Sequence, residues 1–139
     1  DWVLDATRLT DLREKKISQL SGGERQRAWI ALALAQKTDI LFLDEPTTYL
    51  DIYYQLEILS LVRELNRKYG ITIIMVLHDI NQAMQFSHNV IIMKKGKIIY
   101  DGVIDEGITE ERIEEVYGIK SCIRWSNDNK CPYMIPIHV

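Results

Sequence analysis

Two short apolar runs separated by an amphipathic helix are the feature that most limits the folds open to this chain. The first run is ILFLD at 40–44 and the second is ITIIMVLHD at 71–79. Between them, apolar residues at helical spacing predict a helix over 52–69, with Asp51 suited to its N-cap and Gly70 to its C-terminal cap. Runs that are apolar on both faces are typical of fully buried strands in a parallel sheet. The chain is therefore predicted to adopt an α/β fold, with helices flanking a parallel sheet.

Helices and hairpins are also predicted on both sides of this strand–helix–strand unit. The predicted elements are an exposed helical opening at 1–16, an alanine-rich and largely buried helix at 22–36, a short helix beginning at Asp79, two strands at 89–102 turning at Lys95-Gly96, an amphipathic helix at 109–118, and a final hairpin turning through 126–130. Neither a repeat nor a low-complexity linker interrupts this order.

Composition and charge favour a single soluble domain. Of the 139 residues, 47% are hydrophobic and 27% are charged, as in proteins that bury a core. A net charge of -3 with a pI near 5.6 gives no basic surface for nucleic acid. The apolar runs fall well short of the roughly 20 residues needed to cross a bilayer, and the opening DWVLDATRLT lacks a signal-peptide pattern. A cytoplasmic protein without a membrane span is the expectation.

The cysteines offer little chemistry. Cys122 and Cys131 are too few for a disulfide framework. Their spacing, even with His138 added, matches no usual structural zinc site. Free thiols on the final hairpin are therefore expected.

The carboxyl ends of both apolar runs carry polar groups that could do chemistry. Asp44 could hold Mg²⁺ and Glu45 could polarise a water molecule for attack on phosphorus. Equally, acids can simply cap a buried strand where it meets solvent. His78 could hydrogen-bond a phosphoryl group, but a lone histidine at a strand end is more often an ordinary polar residue. Ligands of open α/β sheets bind at this edge, so Asp44, Glu45 and His78 are candidate ligand-binding residues.

The stretch LSGGERQR combines a helix start with two adjacent glycines. Ser21 and Glu24 have the spacing of a capping box. The box leaves Gly22 and Gly23 unexplained, although each glycine costs about 0.5 to 1 kcal/mol in a helix relative to alanine. Glycines at the positive end of a helix let an anion approach the backbone amides, so the pair points to phosphate.

Three segments together, LSGGERQR, ILFLDEPTTYLD and MVLHD, resemble the second half of an ABC-transporter ATPase in order and spacing. By this resemblance Leu20–Gln26 correspond to the signature motif, Ile40–Asp44 to the Walker B strand, Glu45 to the catalytic base, Tyr49–Asp51 to the D-loop and His78 to the switch histidine. ALAQKTDILFLDEPTTYLDI, VRELNRKYG and LHDINQA are similar to the subgroup that imports iron-siderophore complexes, haem and cobalamin.

The resemblance implies a partial P-loop NTPase fold of the ABC ATPase type, with a remnant of the helical subdomain and a C-terminal β-hairpin. Residues 1–139 would be the C-terminal portion of the domain: 1–36 the helical remnant and signature helix, 37–104 the core from Walker B to the H-loop, and 105–139 the last helix and hairpin. In this family the Walker A loop and Q-loop precede the signature motif, and 19 residues precede Leu20 here. Both loops are therefore expected to be missing from this chain, whose one Gly-Lys pair is followed by isoleucine.

In this family two subunits dimerise head to tail, and each ATP lies between the Walker A loop of one and the signature motif of the other. The implied roles are contact with a partner's ATP for Ser21, Gly22, Gly23 and Gln26, Mg²⁺ binding for Asp44, activation of the attacking water for Glu45, contact with the γ-phosphate for His78, and reporting across the dimer interface for Asp51. The implied partners are a second ATPase subunit and membrane permease subunits, with no nucleic acid. The implied location is cytoplasmic, on the inner face of the cell membrane.

The isolated chain is expected to be catalytically inactive, because positioning and charge neutralisation supply most of the catalysis in phosphoryl transfer. One alternative is a non-catalytic interaction or folding fragment, whose exposed sheet edges would invite self-association. Another is an ABC ATPase that acts outside transport, in translation or DNA repair.

Overall fold

The computed structural model describes residues 1–126 and 131–138, which form both helices and strands. The chain divides into two compact units, Asp1–Leu77 and His78–Val139. The first unit contains α1 (Trp2–Ala6), short 3-10 turns at Thr10–Leu12 and Ile17–Gln19, α2 (Gly22–Leu34), β1 (Ile40–Asp44), α3 (Ile52–Tyr69) and β2 (Thr72–Val76). The second contains α4 (Ile80–Phe86), β3 (Asn89–Lys94), β4 (Lys97–Val103), α5 (Ile104–Gly107), α6 (Glu110–Tyr117), β5 (Lys120–Trp125) and β6 (Pro132–His138). The finer division at 36/37 and 104/105 stays a prediction.

The strand–helix–strand unit forms as predicted. β1 pairs in parallel with β2, with Ile40 opposite Thr72 and Asp44 opposite Val76. α3 begins after its N-cap, Asp51, and ends at Gly70, which has the left-handed conformation (φ 69°) that lets glycine close a helix. Both helix boundaries were therefore predicted correctly.

The two strands are buried on one face only, so the prediction of fully buried strands is wrong. Leu41 and Leu43 are 3% and 9% exposed, whereas Phe42 is 71% and Val76 is 51% exposed. The reason is that α2 and α3 cover a single face of the sheet. The buried core of that face consists of Ile30, Leu34, Leu41, Leu43, Ile58, Leu61, Val62, Leu65 and Ile71.

The α2 helix also differs from its prediction as a largely buried element. Its buried residues lie along one stripe, formed by Gly23, Arg27, Ile30, Ala31 and Leu34. On the other side, Trp29 and Leu32 are each 57% exposed. An apolar sequence therefore does not ensure burial when only one side of the helix meets the sheet and α3.

In the second unit, the predicted hairpin and amphipathic helix are both present. β3 and β4 are antiparallel, with Lys94 opposite Lys97. Lys95 and Gly96 both have positive φ, 50° and 75°, as the two central residues of a type I′ turn require. The N-cap of α6 is Thr109, whose hydroxyl accepts from the Arg112 amide at 3.2 Å, and its C-cap is Gly118 with φ 72°.

The predicted final hairpin is formed by the antiparallel strands β5 and β6, with Cys122 opposite Ile135. The Ser126 amide donates to the Cys131 carbonyl at 3.0 Å. The turn predicted over 126–130 falls on residues 127–130, which lie outside the described residues. Cys122 and Cys131 are free in this structure.

Candidate functional site

The start of α2 is held by the predicted capping box. Ser21 has extended backbone angles, and its hydroxyl accepts from the Glu24 amide at 3.3 Å. In return, the Ser21 amide donates to Glu24 Oε2 at 2.7 Å. Hydrogen bonding of the Glu24 carboxylate, first by the Ser21 amide and then by the Ser21 side chain, holds the pKa of Glu24 below its ordinary value. Ser21 and Glu24 therefore have a structural role at the helix start.

The two glycines after Ser21 have different surroundings. Gly22 is exposed, and a Cβ there would lie 3.4 Å from Leu50 Cδ2, an ordinary contact. Gly23 is buried, and its Cβ would lie 2.6 Å from Tyr54 Cδ1, closer than real Cβ atoms come. Packing against the Tyr54 ring thus explains Gly23 without a ligand, an explanation that sequence reasoning missed. Nothing in the sequence pairs Gly23 with a tyrosine in another helix.

The first amides of any helix have no acceptor within that helix. At α2 these amides belong to two glycines, and Gly22 and Ser21 are exposed. Gln26, one turn further on, is half-buried. The start of α2 can therefore present backbone donors and the positive end of a helix to an anion.

The carboxyl end of β1 presents two acids in succession. Asp44, the last strand residue, is exposed, and Glu45 is half-buried. Glu45 has φ 48°, which is uncommon for a residue with a side chain and is found most often at functional sites and tight turns. Its Oε2 accepts from the Thr48 hydroxyl at 3.0 Å. Thr48, which sequence analysis did not single out, orients this carboxylate.

The residues between Glu45 and α3 form a tight connection that ends on Asp51. Tyr49 has φ 64° and a fully exposed side chain. Asp51 Oδ1 accepts from the Tyr53 and Tyr54 amides at 3.1 and 3.2 Å, and so caps α3. Asp51 therefore has a structural role within this chain, next to the exposed Tyr49.

The candidate site residues fall in both units. Ser21, Gly22, Gly23, Gln26, Asp44, Glu45 and Asp51 lie in the first unit, and His78 is the first residue of the second. Within the first unit, the structure brings Gly22 and Gly23 against the start of α3. His78 is exposed, and the next residue, Asp79, caps α4 by accepting from the Asn81 amide at 2.7 Å and the Gln82 amide at 3.0 Å.

Asp44 fits a Mg²⁺ ion as a partial ligand set. An exposed carboxylate is a hard oxygen donor, and Mg²⁺ is usually held by one or two carboxylates together with water and substrate phosphates. In the described part of the chain, no group of three or more His, Cys, Asp or Glu side chains could hold a metal by itself. Asp44 therefore suits an ion that arrives with a phosphate ligand.

Comparison with known proteins places these features in a family. The sequence model of the ABC transporter family matches residues 1–48. The chain is 53% identical over 120 residues to the petrobactin import ATP-binding protein FpuC of Bacillus anthracis, covering 86% of this chain and 44% of that protein. It is 45% identical over 135 residues to the ferric enterobactin transport ATP-binding protein FepC of Escherichia coli (strain K12), covering 97% and 50%.

A solved structure from an ABC transporter also matches this chain. The structure of cbiO1 from Clostridium perfringens, part of the ABC transporter complex cbiONQ, matches with a TM-score of 0.74 at 34% identity, covering 83% of this chain and 47% of that one. The parallel pair β1–β2 with its helices is therefore part of a P-loop NTPase fold of the ABC ATPase type, as predicted. The chain belongs to the ABC transporter family of ATP-binding proteins, and it spans about half the length of the curated relatives it matches. None of the helices in residues 1–126 and 131–138 has the length and apolar character needed to span a membrane.

Proposed function

We propose that this chain is the C-terminal part of the ATP-hydrolysing subunit of an importer for iron(III)-siderophore or related chelates. The observation that carries the proposal is the 53% identity to a petrobactin import ATP-binding protein over 86% of the chain. The name of the Escherichia coli relative, a ferric enterobactin transport protein, supports a ferric chelate as the cargo.

At the start of α2, the proposed ligand is the γ-phosphate of an ATP held by a second ATPase subunit. Ser21 offers its hydroxyl, Gly22 and Gly23 offer their amides, and Gln26 lies one turn behind them. The exposed, capped helix start supports this role, because helix N-termini favour anions. Asp51, at the start of the neighbouring α3, is proposed to contact the same partner across the dimer interface.

At the end of β1, the proposed chemistry is attack of water on the γ-phosphorus of this subunit's own ATP, which breaks the bond to the β–γ bridging oxygen and releases ADP and phosphate. Glu45 accepts the proton of that water, and the Thr48 hydroxyl keeps its carboxylate oriented. Asp44 is the ligand for Mg²⁺, which when bound neutralises charge on the phosphate oxygens. His78 donates a hydrogen bond to the γ-phosphate.

The proposed assembly is a head-to-tail dimer of ATPase subunits bound to membrane permease subunits on the cytoplasmic face. In this assembly the bound nucleotides favour the closed dimer and hydrolysis favours the open one, so that a ligand biases a two-state element. The curated relatives, named as import or transport ATP-binding proteins, support such a role. Neither DNA nor RNA is a proposed partner of this assembly.

A chimeric subunit tests the catalytic part of the proposal. It joins the part of the Bacillus anthracis relative that this chain does not match to residues 1–139. We expect Mg-dependent ATP hydrolysis, and Glu45→Gln should lower kcat by about a hundredfold or more, since a general base is lost. Glu14→Gln is the matched control, because Glu14 is an exposed acid of the same unit with a side chain 92% exposed. Equal hydrolysis by the Glu45→Gln and Glu14→Gln chimeras would contradict the proposal.

The 139-residue chain by itself should release no phosphate from Mg-ATP, because its sequence has no Gly-x-x-x-x-Gly-Lys-Ser/Thr loop. Phosphate release that Glu45→Gln abolishes would contradict this expectation. The bare face around Phe42 also favours a second candidate function, as a non-catalytic interaction fragment. Size-exclusion chromatography separates the two, since a well-folded monomer would count against the interaction fragment.

A further inference from the structure

Arg27 and Glu57 form a nearly buried ion pair between α2 and α3. Arg27 Nη1 lies 2.7 Å from Glu57 Oε2, and the two side chains are only 10% and 19% exposed. Exposed ion pairs contribute little, but loss of one partner from a buried pair leaves an uncompensated charge in the protein. Neither residue has a role in the proposed chemistry, so the position of the pair needs its own explanation.

The contacts around this pair define how the two helices run. Three pairs of positions meet: Gly22 with Leu50, which lies two residues before α3, Gly23 with Tyr54, and Arg27 with Glu57. The numbers on both sides rise together, so α2 and α3 run in the same direction. Their N-termini therefore lie at the same end of the pair, and the ion pair lies about one to two turns behind them.

The two N-termini carry the residues proposed to meet the partner subunit. Ser21 caps α2 and Asp51 caps α3. Because Gly23 has no side chain, the Tyr54 ring can approach α2 closely at this end. The ion pair then fixes the two helices relative to each other about one to two turns behind their N-termini.

The chemistry of the pair also favours positioning over stability. Arg27 Nε is buried and has no hydrogen-bond partner among the described residues. A buried guanidinium with an unsatisfied donor is a poor way to gain stability, since packed apolar residues often do as well or better. Buried ion pairs can instead specify one arrangement of neighbouring elements.

We infer that Arg27 and Glu57 are positioning residues that hold the start of α2 and the start of α3 in one fixed relation. Contact with a partner's phosphate at Ser21 and contact of Asp51 with the partner are then made together. The inference rests on the proposed function, because it uses the roles proposed there for Ser21 and Asp51. The pair acts through these residues and touches no nucleotide itself.

The chimeric subunit described above provides the first test. Arg27→Met should lower kcat at least about tenfold through misplacement of the phosphate contact, while the KM for ATP changes less than about threefold. Arg27→Lys should restore most of kcat, because only one guanidinium nitrogen contacts Glu57. The control is Arg8→Met. It breaks the 3.0 Å ion pair between Arg8 and Glu64, which lies on α3 as Glu57 does, and both side chains of this control pair are about half exposed. This control should leave kcat unchanged.

Hydrogen exchange on the 139-residue chain provides the second test and needs no nucleotide. Glu57→Gln should speed exchange of the amides of residues 22–24 and 52–54 together, whereas Glu64→Gln should leave both groups unchanged. Exchange that Glu57→Gln does not alter would overturn the inference, whatever the chimera does. A chimera that needs Glu45 but keeps its kcat with Arg27→Met would also overturn it and leave the proposed function intact. A folded chimera whose hydrolysis does not need Glu45 would instead count against the proposed function.

Discussion

The start of α2 and the carboxyl end of β1 differ in how much of their surroundings this chain supplies. At the start of α2, a capping box, the Tyr54 ring and the Arg27–Glu57 pair hold Ser21–Gly23 in place. At the end of β1, the acids follow a strand whose second face is bare, with Phe42 71% exposed. The helix start is thus complete as a local structure, whereas the acids lie beside an uncovered apolar surface.

The two regions therefore differ in which residues can be tested in the chain alone. Substitutions at the helix start should change stability through contacts already present. A substitution at Phe42, on the bare face of the sheet, should change stability little, because this side chain is 71% exposed.

The largest effect is expected for the two faces of β1. Leu41→Ala should lower the free energy of unfolding by about 2–5 kcal/mol, because it empties space in the core. Phe42→Ala, one residue along, should change it by less than about 1 kcal/mol. Urea unfolding followed by circular dichroism measures both. Equal losses would mean that the second face of the sheet is covered in solution.

The next effect concerns the glycine behind Ser21. Gly23→Ala should cost about 1–3 kcal/mol, because the added Cβ would collide with the Tyr54 ring. With Tyr54→Ala also present, Gly23→Ala should cost nothing or stabilise the chain. Gly22→Ala is the matched control and should stabilise by up to about 1 kcal/mol, since alanine is the better helix former. Urea unfolding of the wild type, Gly23→Ala, Tyr54→Ala and the double variant completes the double-mutant cycle. The same measurement on Gly22→Ala provides the control.

A smaller effect is expected from the cap itself. Ser21→Ala should cost about 1 kcal/mol, because the Glu24 amide loses its acceptor. Ser18→Ala, at an exposed serine in the preceding 3-10 turn, is the comparison and should have little effect. Thermal unfolding at neutral pH measures both. No difference between the two variants would show that the capping box does not stabilise α2.

Local signals in the sequence predicted the ends of α3, the capping box at Ser21 and the turn at Lys95-Gly96. Each depends on residues within one turn of one another, and their side chains or backbone preferences decide the outcome. The resemblance predicted the family and fold class, because it uses three motifs at once. Such features can be predicted from one sequence.

Contacts between elements could not be predicted in the same way. Arg27 and Glu57 are 30 residues apart, and the closeness of Gly23 to Tyr54 depends on the angle between two helices. The bare face around Phe42 was missed because an apolar run looks the same whether one or both of its faces are covered. The missed contacts between α2 and α3 and the wrongly predicted burial of Phe42 both depend on the number and position of neighbouring layers. The local sequence pattern does not contain that information.

The smallest predicted effect is a pH dependence at the helix start. The folded pKa of Glu24 is lowered, chiefly by the Ser21 amide, so its ionised form is favoured in the folded chain. Its contribution is therefore present above the unfolded pKa and is lost as the pH falls through the lower, folded pKa. The stability difference between the wild type and Glu24→Gln should then be largest near neutral pH and shrink below about pH 4.5, the ordinary value for this group. A difference that stays constant from pH 7 to pH 3 would mean that the Ser21 amide does not favour the charged carboxylate of Glu24.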